Sequence, residues 1–583
     1  MKSDHTINTP ASPTNITSLT LDEKMELLSV ARNTITNHFS KTPSSKIKLS
    51  NTFPNLHAGN KVFVFLRVNG KTRKSWSAQS DNLSTAVHKA TLRAITDEQY
   101  SDAIETVEVP HLRIDISVLG DYEIINNSSV NTISEVIEPG VHGLRLDHPE
   151  STGAIFLPLV ATEKNRKLPA LLERLCEKAE LPKNCATNPQ STLQRFRTIH
   201  FIESTTSSDS ATELYRGAPI LLSDDISCGL VRQRLNLLSA WFLNNIQPDN
   251  SLPYLYHPSS GKYPDKDNII RQLLTAQGIF AITHETKNKK LEKIGMLHLK
   301  ELFKKYYQYD TNHKFGYFEK ENKVKLGSAA LGIIAILESP QPEKYSSELA
   351  ALTEFLKFMQ QPNGSFQTFF KPTDFDTNQR FYSGEALTAA AKLFEYTKNP
   401  EWLDFITRSF EYYQPYLTQN FMPQFVPWHT FAYTTAYFAN REKKYADFVF
   451  RLNDYLIEEM LETNPDYPDQ IGRFYNSNHA EWGPPHIAST AIYLEGITYA
   501  YNLAKKIGDT KRANQYLQSI LLGARSLLQL QWLPDTTYYL QHPERVTGAF
   551  KRTTSSNNFR IDHVGHTANA LSCVQKILCE QTR

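Results

Sequence analysis

The chain has 583 residues, 40% of them hydrophobic and 21% charged, with a formal net charge of +2. That length exceeds what one hydrophobic core holds, so two or more domains are expected. The near-neutral balance offers no electrostatic footprint for nucleic acid, and the longest apolar run, Ala329 to Leu337, is far short of a membrane span. The first stretch is rich in Ser, Thr and Asn and lacks the apolar core of a signal peptide, so residues 1–19 read as a disordered lead and the chain as cytoplasmic. Cys176, Cys185, Cys228, Cys573 and Cys579 form no CxxC pair and no zinc spacing, so reduced thiols and no metal are expected.

Helical periodicity begins at Leu21, with Leu27, Leu28 and Ala31 on one side. Around Asn69-Gly70, β-branched and aromatic residues flank a favoured two-residue turn, which predicts a hairpin. A helix follows near Asn82 to Ile95. Strands are expected from Leu112 and from Val141, then a run from Gly153 and a helix from Leu168. Strands and helices mix without strict alternation, which predicts an α+β domain over residues 20–203.

The order of VFVFLRVNGKTR, LRIDISVLG, EPGVHGLRLD, GAIFLPLVATE and LLERLCEKAEL resembles the AMMECR domain family. The most specific pieces are Pro139-Gly140-Val141-His142-Gly143-Leu144 and the Leu-Pro-Leu-Val-Ala run from Leu157. Members of that family typically carry a Leu-Arg-Gly-Cys-Ile-Gly hexapeptide after the first hairpin. Here the matching stretch is Thr72-Arg73-Lys74-Ser75-Trp76-Ser77, so only the arginine remains. Ser75 stands where the thiol would be, and both glycines that permit close backbone approach are gone. The resemblance therefore implies a degenerate, structural or protein-partner-binding domain. His142 reads as the cap of a turn and Arg73 as the partner of a surface carboxylate. Lys74 and Trp76 offer weak evidence for a pocket wall.

The polar run from Ser204 predicts a linker over residues 204–215. Beyond it, in residues 216–583, helical segments of two kinds alternate. Those starting near positions 268, 327, 381, 429, 486 and 563 are Ala/Gly-rich and apolar on every side. Those between them, such as NKKLEKIGMLHLKELFKKYY, are charged and striped. A helix apolar all round is buried and a striped one lies at a surface, so the alternation predicts an inner ring inside an outer ring, an (α/α)6 toroid. The wider final gap should hold an extra loop. Through FYSGEALTAAAKLFEYTKNPEWL and QQPNGSF, this region is similar to bacterial (α/α)6-toroid proteins of carbohydrate-active type.

If the inner helices run parallel, their first turns converge on one mouth. Asp267 and Arg271 belong to the first, and Arg380, Tyr382 and Glu385 to the third. The fourth follows Trp428 and opens with His429. Glu481 and Trp482 precede the fifth, which opens with His486, and Arg560 precedes the sixth, which opens with Asp562, His563 and His566. Carboxylates supply acid and base, arginines bind acidic or hydroxyl groups, and tryptophans stack on sugar rings. Glu385 stands amid Ala386, Ala389 and Ala390, and a buried carboxyl needs a partner or a task. Asp562 is as good a helix cap as a catalyst, and Glu495 reads as a floor residue or half of a buried ion pair. Catalysis is thus expected from Glu385 with Asp562 or Glu481. Arg271, Arg380, Tyr382, Trp428, His429, Trp482, His486, Arg560 and His566 are expected to bind substrate. Inverting glycoside hydrolysis, or elimination or epimerisation of a uronate, fits that set, with an oligosaccharide or other small molecule as substrate and no cofactor. The rival reading is a non-catalytic scaffold, and a funnel plugged by Phe and Tyr would favour it.

Overall fold

The computed structural model describes residues 18–40, 54–57, 59–97, 103–205 and 210–581. The expectation of a disordered lead falls almost wholly outside them. The first region contains α1 (Leu21–Phe39), β1 (Lys61–Val68), β2 (Lys71–Gln79), α2 (Leu83–Thr96) and β3 (Arg113–Leu119). Next come β4 (Glu123–Ile124), α3 (Val130–Val136), β5 (Gly143–His148), β6 (Ser151–Phe156), α4 (Leu159–Glu163) and α5 (Leu168–Lys178). The strands β7 (Thr192–Phe196), β8 (Thr198–Glu203) and β9 (Ala211–Glu213) end it. They build two antiparallel sheets, ordered β2-β1-β3-β8-β9 and β4-β7-β5-β6. Part of the expected linker is therefore structure, because β9 pairs with β8 at the sheet edge.

The larger sheet owes its two faces to the period of two along each strand. Val62, Val64 and Leu66 of β1 join Ile114, Ile116 and Val118 of β3 in an apolar core with α1 and α2. The opposite face is charged: buried Arg67, Asp115 and His200 lie on neighbouring strands.

From Cys228 the chain forms twelve helices in hairpins. They are α6 (Cys228–Asn245), α7 (Ile269–Thr286), α8 (Lys289–Tyr306), α9 (Leu326–Glu338), α10 (Ser346–Met359) and α11 (Gln379–Thr397). Then follow α12 (Glu401–Gln419), α13 (Val426–Asn440), α14 (Lys443–Met460), α15 (Ile487–Ile507), α16 (Thr510–Gln529) and α17 (Ile561–Gln581). The odd-numbered members form the inner ring, each packed on the next, and α17 packs back onto α7 to close it. That closure is tight: a Cβ on Gly278 would stand 2.7 Å from the Gly565 carbonyl oxygen. The outer helices carry one apolar stripe each; in α8 it is Leu291, Leu299, Leu302, Phe303 and Tyr306. Among the described residues no helix is long and apolar enough to cross a membrane.

The cysteines correct the expectation of reduced thiols. Cys176 is bonded to Cys185 and Cys228 to Cys579, with Cα–Cα separations of 5.7 and 5.1 Å. The second bond ties the first outer helix to the last inner one across 351 residues of sequence, which only ring closure brings together. Cys228→Ser is expected to lower unfolding stability by about 2–4 kcal/mol. Urea titrations of both proteins, with and without reductant, check this: reductant should erase the difference.

The extra loop expected before the last inner helix spans residues 530–560, and it docks the first region onto the toroid. Asp535 accepts hydrogen bonds from Thr205 N (2.7 Å), Ser204 Oγ (3.0 Å) and Thr212 Oγ1 (2.9 Å), and pairs with Arg113 at 2.9 Å. Tyr538 lies on the charged sheet face, its ring 5.0 Å from the Arg67 guanidinium, and donates to Glu163 at 2.7 Å. Arg67 in turn pairs with Asp115 at 2.5 Å and Glu163 at 3.1 Å. These buried charges are compensated, as burial demands.

Candidate functional site

The inner helices open a cavity of about 390 Å³ at one end of the toroid, a size usual for small-molecule sites. First-turn residues of α7, α11, α15 and α17 supply its wall, and the segment 481–484 its rim. Phe and Tyr do not plug it. A larger open depression of about 800 Å³ lies on the outer wall, lined mostly by lysines and glutamates of surface helices.

Glu385 lies two turns into α11 and is 5% exposed. Burial alone pushes its carboxyl up to about 8, so it is protonated at neutral pH. Its Oε2 has no hydrogen-bond partner among the described residues. The backbone of α9 crosses directly beside it: a Cβ on Gly327 would stand 2.3 Å from that oxygen. Gly327→Ala is therefore expected to displace Glu385 and cut any turnover at least tenfold. Comparing kcat and KM with the wild type checks this; unchanged values would mean that Glu385 has room to move.

Asp562 lies on the same cavity but in a different electrostatic state. Arg560 Nε donates to its Oδ1 at 2.5 Å and Arg560 Nη2 to its Oδ2 at 2.7 Å. Arg271 Nε approaches Oδ2 at 3.2 Å, and the Arg271 guanidinium also donates to the Tyr254 hydroxyl. Burial would raise the Asp562 carboxyl, but His563, Arg560 and Arg271 reverse the sign and hold it below the ordinary range. Asp562 is thus an ionised carboxylate held between two guanidinium groups. It orients two arginines, and that geometry weighs against the base role expected from sequence.

The histidines divide. His566 lines the cavity with Nδ1 unpartnered, and burial holds it down to about 4. His486 caps α15 by accepting from Ser489 N, and burial likewise holds it to about 4. Both are neutral imidazoles. His429 does not join them: it is fully buried behind the wall, its Nδ1 3.0 Å from the Tyr433 hydroxyl. A turn at Pro423–Phe425 starts α13 so that Trp428 faces the cavity, and the next residue is rotated away by the helical step.

Arg380, Tyr382, Trp428, Trp482 and Glu481 all line the cavity. Tyr382 is buried beside Glu385, and burial and that carboxyl push its hydroxyl above the ordinary range. At the rim, His479 stacks on Trp482 at 3.9 Å and bonds Glu481 at 2.7 Å, which holds the Glu481 carboxyl low and ionised. Asp267 is elsewhere: it accepts from Tyr306, Gln272 and its neighbour's amide. His563 is buried behind the wall. Glu495 lies below Trp428 beside a small void, pushed up to about 8 mainly by burial, with Lys392 opposing.

Sequence reasoning missed Arg552, Tyr254, Gln424 and Tyr493. The first three come from segments outside the long helices, with no periodicity to mark them, and Tyr493 stands in an apolar run of α15 that reads as core.

Of the residues singled out in the first region, Arg73, His142, Lys74 and Trp76 each have partners of their own. Arg73 pairs with Glu108 at 2.9 Å, and His142 Nδ1 accepts from the Glu138 amide at 2.9 Å in the turn before β5. Ser75 is exposed on β2. Lys74 Nζ donates to the Asp97 carbonyl, and Trp76 stacks with Arg93, so the two line no shared pocket. Among the described residues no group of three or more His, Cys, Asp or Glu side chains has the geometry of a metal site.

Residues 28–201 match the AMMECR1 family model. A protein of Methanothermobacter thermautotrophicus is 28% identical over 188 residues, which is 32% of this chain and 96% of that protein. The toroid is similar to a crystal structure of D-mannose isomerase, at 13% identity and a TM-score of 0.46, covering 60% of this chain and 98% of that one. It is also similar to the GH76A α-1,6-mannanase of Salegentibacter sp. HEL1_6, at 11% identity and a TM-score of 0.43, covering 60% and 99%.

Proposed function

We propose that the funnel is the acid/base site of a carbohydrate-active enzyme, with Glu385 as proton donor. The observation that carries this is a buried, protonated carboxyl with a free oxygen on the wall of an open cavity beside Trp428 and Trp482. A proton held near neutral pH is what general-acid catalysis needs, and tryptophan faces suit the apolar side of a sugar ring. Arg560 and Arg271, fixed by Asp562, supply donors for oxygen atoms of the substrate.

The complementary proton acceptor distinguishes two outcomes. Ionised Glu481 lies at the rim, where water enters, and serves hydrolysis by inversion. Neutral His566 lies inside with a free nitrogen and serves proton abstraction in epimerisation or elimination. The test is turnover of neutral, amino and acidic saccharides by the full chain, alongside Glu385→Gln, Glu481→Gln and His566→Asn. Loss in the first two supports hydrolysis, and loss in the first and third supports proton abstraction at carbon. A wild type that is stabilised by a sugar without turning any over would make the funnel a binding site only.

A further inference from the structure

The mouth of the funnel holds more positive charge than it compensates. Asp562 is shared between Arg560 and Arg271. Arg552, from the loop before α17, is half-buried and senses Arg560 and Arg271 as like charges and Asp562 as its opposite. Among the described residues its guanidinium makes no ion pair and no hydrogen bond. Arg380 on α11 is exposed and likewise has no carboxylate partner among them. Two guanidinium groups thus hold one carboxylate, a third lies in the adjoining recess, and a fourth lines the mouth. Asp469 lines the recess that holds Arg552, but it is paired with Arg216. Glu385 is protonated, and Glu481 is turned to solvent and bound by His479.

Gathering like charges away from bulk water is costly unless a counter-ion arrives. A guanidinium donates along two parallel directions, which matches carboxylate and phosphate oxygens better than single hydroxyls. Arg552 borders a recess it shares with His486, and His486 also lines the main cavity. We propose that the funnel takes a saccharide bearing an anionic group, a carboxylate or a phosphate, which Arg552 holds together with Arg271 and Arg560. The inference rests on the carbohydrate reading above and names the substrate class within it. Asp562 then keeps Arg560 and Arg271 aimed while leaving the cluster a positive excess for the ligand.

Binding of glucose, glucuronate and glucose 6-phosphate to the full chain tests this by calorimetry at low and high salt. At least one acidic sugar is expected to bind tenfold or more tightly than glucose, with the preference shrinking as salt rises. The choice between glucuronate and glucose 6-phosphate identifies the anion. Arg552→Gln is expected to weaken the acidic sugar about tenfold and leave glucose unchanged, while Arg552→Lys retains part of the preference. Arg380→Gln, at an exposed position that folding does not depend on, should cause a smaller loss in the same direction. Equal binding of glucose and both acids overturns the inference while the carbohydrate reading stands. So does an acidic-sugar affinity unmoved in Arg552→Gln and Arg380→Gln proteins that melt normally. If no saccharide binds or is turned over, the carbohydrate reading falls and this inference falls with it.

Discussion

Glu385→Gln is expected to lower turnover by about 10²–10⁴-fold and, at the same time, to make the protein more stable above pH 8. The two effects share one cause. Burial raises the Glu385 carboxyl from 4.5 to about 8, so the folded state holds the proton more tightly than the unfolded chain does. Stability is then greatest below the unfolded value of 4.5, declines as pH climbs through the window to 8, and levels off above it. The size of that decline is on the order of a few kcal/mol. Glutamine keeps the shape but carries no proton to lose, so the variant escapes the decline. Wild type and variant should unfold alike at pH 4, and the variant should win at pH 9. Urea titrations across that range, with a pH–rate profile whose alkaline limb falls near 8, check both halves. A wild type whose stability is flat from pH 5 to 9 would remove the raised carboxyl from the account.

Asp562→Asn is expected to destabilise the fold by about 3 kcal/mol, within the range for removing one partner of a buried ion pair. The loss is not larger because Arg271 and Arg560 are partly exposed, at 33% and 22%, and water screens part of their repulsion. The pH dependence has the opposite sign to that of Glu385. The folded-state carboxyl lies below its ordinary value of 3.8, so its contribution is present above that value and fades as pH falls below it. The variant should therefore differ most from wild type at neutral pH and converge with it in acid. Binding of any sugar should also weaken, because Arg560 and Arg271 lose the anchor that aims them. Thermal melts at pH 2.5 and 7 distinguish this from a loss of packing, which would persist in acid.

The architecture was legible because it rests on a pattern that packing enforces. A helix such as α9, with Ala, Gly, Ile and Leu on all sides, has no stable place except inside a ring, whereas α8 declares its outer position by a single stripe. Glu385 and the arginines of the first turns followed from the polarity of those helices. His429 did not, because the phase of α13 is set by the short turn before it, and one residue of slip exchanges His429 for Trp428. Arg552 was invisible for a different reason: it lies in an irregular loop, and only the folded ring brings it to the mouth. The Cys228–Cys579 bond was hidden likewise, since no local spacing reports a contact made by closure. The protonation states of Glu385 and Asp562 were beyond reach as well, because they depend on burial and on neighbours distant in sequence.

The loop of residues 530–560 answers to two masters. At one end Asp535 and Tyr538 grip the first region, and nearer the other Arg552 borders the recess beside the funnel. Between them Lys551 is anchored on the Gly217 carbonyl, and beyond Arg552 Asn557 donates to the Thr162 carbonyl and to Ser259. A substitution that improves the grip on the sheet therefore shifts the guanidinium that meets a ligand, and the reverse also holds. The grip on the first region and the recess beside the funnel thus rest on one continuous loop.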